Sequence, residues 1–238
     1  MKQKIYSKDI ILILAASFFY LSSPMLVTPL ITGFSKGEPI PKENPPQSAV
    51  YDELEIVDKK VLPIAMIIML FAIPYCATQS FLVNYVEAGN LSLSVSVSLF
   101  FSLYAVVLLV LRLTMRNLFD RLPFRVFLIG SSGSAFLAIL ALALMHNNMM
   151  LFFAALFMAG GYGIMCSVCQ STAILLAGPE KRGLANSTYY IGLDLGMALG
   201  PVLGGLLFGN LSLSLFYPVL LITVPLILLI YFIFCRRL

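Results

Sequence analysis

The sequence predicts an all-α membrane protein, on two observations. Of its residues 60% are hydrophobic and 11% charged, whereas soluble domains carry about 25% charged residues. The apolar residues are also gathered into runs of roughly 20 or more with few charges, the length a helix needs to cross a hydrocarbon core of about 30 Å. Membrane strand barrels would instead alternate apolar and polar residues over segments of about ten, a pattern the chain lacks. The net charge of +4 is dispersed in short basic clusters beside the apolar runs. No nucleic-acid-binding face is expected from it, and the clusters read as topology signals.

Taken in order, the first run covers 9–33. It follows "MKQKIYSKD" and so resembles the start of a secretory signal. Its apolar part continues past Ser22 and Ser23 to "MLVTPLITGF", which favours a retained amino-terminal transmembrane helix over residues 1–33. Residues 34–60 form the next unit, and the stretch "SKGEPIPKENPPQSAVYDELEIVDKK" holds four prolines and six of the eleven acidic residues. That composition predicts a solvated linker. Six further spans are expected at 61–88, 92–115, 124–145, 149–177, 182–209 and 213–235. Their connections are short, so sequence neighbours should run antiparallel and lie side by side.

Short loops rich in Lys and Arg stay on the cytoplasmic side. This rule puts "RNLFDRLPFR" (116–125), Lys181 with Arg182, and Arg236 with Arg237 inside, and "MHNNM" and "GNLSLS" outside. Lys59 and Lys60 agree and make the 34–60 linker cytoplasmic. Lys2, Lys4 and Lys8 also ask for an inner amino terminus, and one span would then deliver the chain to the outer side. The charges therefore read as though an odd number of spans were missing between about residue 36 and the linker. A multi-pass protein of the plasma (inner) membrane is expected.

Within the spans, Gly192, Gly196, Gly200 and Gly204 recur every fourth residue, with Gly205 and Gly209 following. On a helix this spacing makes one smooth face for a closely approaching neighbour, serving tight packing, a hinge, or both. Pro201 removes a backbone donor and should bend the helix. Asp194 lies about 18 Å into the same span at 1.5 Å per residue, hence near mid-bilayer. A carboxylate there is costly unless protonated, paired or hydrated. It is the leading candidate for proton or substrate binding; the structural alternative is a helix-helix hydrogen bond to Gln170, Gln79 or Asn186. Gln79, Asn84, Gln170 and Asn186 complete the candidate polar set, able either to line a cavity or to tie helices together.

Cys76, Cys166, Cys169 and Cys235 all fall in apolar runs, so they read as small packing residues, and the C-x-x-C of Cys166 and Cys169 lacks a second pair or nearby histidines. The single histidine, His146, sits in an outer loop. Arg112 lies one turn from Arg116 and can snorkel to the inner surface. No metal, cofactor or enzyme chemistry is expected, because no nucleophile-base pair, phosphate loop or ligand cluster appears.

"RNLFDRLPFR" resembles the cytoplasmic loop signature of major facilitator superfamily transporters, with Asp120, Arg121 and Arg125 matching. Arg116 stands where that signature has a leading glycine, Pro123 replaces a second glycine, and Phe124 a basic residue. "GLDLGMALGPVLGG" resembles the glycine-proline motif of the family's drug:proton antiporters, with Gly196, Gly200, Pro201, Gly204 and Gly205 in register. The resemblance implies that residues 61–238 are a carboxy-terminal six-helix half and residues 1–36 a first helix, with helices two to six absent. It also implies two halves around a midplane cavity. The function implied is proton-coupled efflux of a small organic solute by the intact form, with Asp194 titrating. The alternative is a truncated, non-transporting remnant or a membrane interaction partner. A homodimer is the way such a chain could supply a second half. The partners expected are thus the lipid bilayer, a small-molecule substrate and protons.

Overall fold

A computed structural model describes residues 57–89, 97–115 and 122–235. The expected span at 9–33, nearly all of the 34–60 linker, and Arg116, Asp120 and Arg121 lie outside the described residues. Among the described residues every regular element is helical, and five helices are long and apolar enough to cross a membrane. A sixth apolar helix is shorter.

Helix α1, Leu62–Ala88, begins with Pro63 in its first turn, where a missing N–H costs nothing. Pro74 lies inside it, and the Thr78 hydroxyl donates to the Pro74 carbonyl at 2.8 Å. Helix α2, Ser98–Thr114, is the shorter one; its buried stripe is Phe100, Tyr104 and Leu108, spaced one turn apart. The reading of 92–115 is therefore helical from Ser98, with residues 90–96 outside the described part. Helix α3, Phe124–Ala143, starts directly after Pro123, whose extended ψ of 153° sets the start. At the entry to α4, Asn148–Ala177, the Asn147 side chain accepts the Met150 N–H at 3.0 Å, an N-cap. The helix ends at Gly178, whose φ of +75° suits only a residue without a Cβ.

Helix α4 is not uniform. Residues Ala159–Gly163, "AGGYG", form a π turn. A π turn leaves a carbonyl without its usual helical donor, and the Ser134 hydroxyl of α3 donates to the Phe157 carbonyl at 2.7 Å just ahead of it. Helix α5, Arg182–Asn210, carries Pro201 without interruption of the helix. The last element, α6, spans Leu213–Phe234. It opens at Leu221 and Ile222, four residues before a proline that cannot donate back, and the Thr223 hydroxyl bonds the Leu220 carbonyl at 2.8 Å.

Short connections make the helices alternate in direction, so Lys59, Lys60, Arg125, Lys181 and Arg182 all gather at one end of the bundle. We call this the basic end. Of the five long helices, α1 is the most enclosed and α5 the least. Helix α1 packs chiefly on α5, and α4 on α3 and α2; α6 lies behind, against α1 and α3. The centre of the bundle is a stack of three buried tyrosines: the ring of Tyr75 lies 4.3 Å from Tyr162 and 5.1 Å from Tyr104. These rings join α1, α4 and α2 at one level.

Candidate functional site

The glycine face of α5 decides where the polar residues go. Helices α1 and α5 run parallel, and a Cβ added at Gly192 would collide with the backbone of Ala65. One at Gly196 would lie 2.5 Å from the Met69 carbonyl oxygen, and one at Gly200 2.6 Å from Cys76 Cβ. At Gly204 the obstacle is the Phe81 ring at 2.8 Å; Gly205 has that ring at ordinary contact distance, and Gly209 has nothing within 4 Å. Gly192, Gly196 and Gly200 thus seat α5 on the α1 backbone, as small residues do between membrane helices, and Gly204 packs on the Phe81 ring.

This register fixes depth. Gly192 faces Ala65, the fourth residue of α1, so α5 begins about 10 Å beyond α1 at the basic end, at 1.5 Å per residue. Asp194 was expected near mid-bilayer from its distance into α5. Its register sets it level with Ile67 of α1, about 8 Å from the start of that helix and about 18 Å from the start of its own. Two residues from Gly192 on a helix is about 200° around, so Asp194 points away from α1. It is exposed, and among the described residues nothing bonds its carboxylate. Gln170 and Asn186 bond each other instead.

Around Asp194 the basic end carries a polar ladder. The Gln170 amide of α4 donates to Asn186 Oδ1 and to the Tyr190 hydroxyl, both at 3.2 Å. Tyr190 is one turn below Asp194 on the same side of α5. Tyr189 turns inward, and its hydroxyl donates to the Cys166 carbonyl at 2.8 Å with the Cys166 Sγ at 3.2 Å. The Asp58 N–H donates to the Thr188 hydroxyl at 2.9 Å, and the Asp58 carboxylate accepts the Lys60 N–H at 2.8 Å. The start of α1 is tied to α5 in this way.

The five polar candidates therefore do not form one site. Asp194, Gln170 and Asn186 share the basic-end half. Gln79 and Asn84, both exposed on α1, sit about 18 Å and 25 Å further along from the level of Asp194. Of the arginine-loop residues only Arg125 is described, exposed in the first turn of α3. Among the described residues no group of three His, Cys, Asp or Glu side chains is placed to hold a metal ion. Sequence reasoning passed over the tyrosine stack and the π turn; three glycines within the five residues of "AGGYG" were the available signal.

A family model describing the Major Facilitator Superfamily matches residues 61–238. The chain belongs to the major facilitator superfamily. No curated protein and no solved structure matches it. Its place among these membrane transporters gives the bundle its meaning: six helices, one glycine-seated pair, and an exposed carboxylate on the outer side of that pair.

Proposed function

We propose that this major facilitator protein couples proton movement to efflux of a small organic solute across the plasma membrane, with Asp194 as the group that binds the proton. One observation carries the reading: Asp194 is a carboxylate well inside a membrane-spanning helix, exposed on the side of α5 that α1 cannot reach. A carboxylate held there is costly in contact with lipid unless protonated, paired or hydrated. Tyr190, Gln170 and Asn186 supply hydrogen-bonding groups beside it. The likeness of "GLDLGMALGPVLGG" to the antiporter motif supports efflux, and the basic end faces the cytoplasm by the positive-inside rule.

The test is reconstitution into proteoliposomes with an imposed pH gradient and a panel of fluorescent cationic and neutral dyes. Asp194→Asn should insert and unfold like the parent but lose gradient-driven dye movement, with Asp194→Glu retaining part of it. Equal coupled rates in the parent and Asp194→Asn would refute the assignment.

A further inference from the structure

Three routes of contact lead to one level of the bundle. The glycine register sets Asp194 of α5 level with Ile67 of α1. Tyr75 of α1 lies eight residues beyond Ile67, and the rings of Tyr104 and Tyr162 both lie against it. Arg112 follows Tyr104 on α2 by eight residues, and Gln170 follows Tyr162 on α4 by eight. Both helices run toward the basic end, so a rise of about 12 Å carries Arg112 and Gln170 back to the level of Ile67.

Helix α4 stands between two opposite charges at that level. On one flank its Gln170 amide holds Asn186 and Tyr190 of α5, and Tyr190 lies one turn from Asp194 on the same side. On the other flank Gly163 leaves room for Leu108 of α2, one turn before Arg112, and the Arg112 charge acts on Cys166 of α4. Helices α2 and α5 do not pack extensively on each other, and α3 and α6 close the opposite side of the bundle. Asp194 and Arg112 are both exposed. The level therefore presents a carboxylate, a half-buried amide and a guanidinium in that order, the two ions separated by the width of α4. Ions inside spanning segments face a partner or a water-filled path. A solute with one charge would satisfy one of these two and leave the other uncompensated, whereas a solute bearing both signs satisfies both.

We propose that the solute is a small zwitterion, with an ammonium and a carboxylate at opposite ends of a short chain, which lies across α4 at Gln170 with its carboxylate on Arg112 and its ammonium on Asp194. This names the substrate class for the transport proposed above and rests on that reading. It agrees with the direction of coupling, because an ammonium and a proton compete for the one carboxylate of Asp194. Arg112 is here a specificity-determining residue, choosing solutes that carry an anionic group.

The test uses the full chain in a nonionic detergent with no pH gradient, so that binding is read apart from transport. The probes are glycine and the aminobutanoic, aminohexanoic and aminooctanoic acids with the amine at the far end of the chain, measured by titration calorimetry. The controls are the amine and the carboxylic acid of matching length, each with a single charge. Affinity should peak at one length of zwitterion, and both matching controls should bind it about ten-fold or more weakly, since each lacks one charged contact. Arg112→Gln should reduce the best zwitterion to the affinity of its matching amine, and Asp194→Asn to that of its matching carboxylic acid. The series on the parent chain decides the matter even where a variant fails to fold: equal affinity for zwitterion and either control, or no dependence on length, would overturn the proposal. So would a preference for a short-chain phosphatidylethanolamine, whose headgroup carries the same two charges, over every soluble acid. Zwitterion binding without gradient-driven dye movement would uphold this site and sink the coupling reading; coupled dye movement with no zwitterion binding would do the reverse.

Discussion

Replacing Gly196 by alanine tests the backbone contact on which every depth assignment rests. The added Cβ would sit 2.5 Å from the Met69 carbonyl oxygen and 2.8 Å from Ala72 Cβ, where ordinary contact begins at 3.4 Å. The obstacles are backbone and a methyl group, neither of which can swing aside. Helix α5 must therefore retreat by about 0.9 Å or tilt, loosening Gly192 and Gly200 together. Overpacking of this kind costs about 1–3 kcal/mol, which for a chain of this size lowers the unfolding midpoint by about 2–12 °C. Tryptophan fluorescence cannot report the transition, since the chain has no tryptophan. Cys76 and Cys169 are buried cysteines, so a dye that fluoresces on thiol addition reports unfolding directly, and Cys76 lies on the α1 surface that faces Gly200. The control is built into the fold. Gly130 and Gly133 lie mid-helix in α3 with nothing within 4 Å of an added Cβ, and alanine there should hold or raise the midpoint because it is the better helix former by about 1 kcal/mol. A Gly196→Ala midpoint at or above the parent's, in step with the α3 controls, would sink the argument for direct seating of α5 on α1.

Further outcomes follow from single contacts. Asp194→Asn should abolish gradient-driven dye transport with its unfolding midpoint kept. Ser134→Ala should cost about 1 kcal/mol by stripping the Phe157 carbonyl of its donor, with faster amide exchange in 158–163; protection unchanged there would show that the π turn does not depend on that hydroxyl. Tyr189→Phe removes the bond to the Cys166 carbonyl at a similar cost of about 1 kcal/mol, and Cys166 should then react faster with a small maleimide, an acceleration whose absence would count against Tyr189 as the group that closes off the thiol.

Span positions were legible because bilayer thickness imposes a length that hydropathy alone reveals. That is why α3, α4, α5 and α6 appear where apolar runs of sufficient length occur. The glycine face was legible too, since a spacing of four projects onto one side of any helix. Its partner was not: hydropathy scores every apolar helix alike, and nothing in "GLDLGMALGPVLGG" names α1 rather than α4 or α6 as the surface beneath it. The level of Asp194 against α1 was out of reach for the same reason. Counting from Arg182 assumes that α5 starts at the membrane surface, whereas its register with Ala65 sets its first turns beyond the start of α1. The π turn escaped because it alters hydrogen bonding without altering apolar periodicity over so short a stretch.

The level of Asp194 on the bundle bears on what the carboxylate can do in the proposed role. Level with Ile67, it stands one turn above Tyr190, whose hydroxyl bonds Gln170, which in turn holds Asn186. In the proposed role, a proton on Asp194 has hydrogen-bonding groups leading toward the basic end, while Gln79 and Asn84 lie about 18 Å or more the other way along α1. Exchange with the opposite side requires the surroundings of α5 to rearrange. The least enclosed of the five long helices is the one that carries this carboxylate, and its glycine face is seated on the α1 backbone, Cys76 and Phe81. A proton coupled to a solute in the proposed way needs that seat to loosen, so that the carboxylate meets the opposite side.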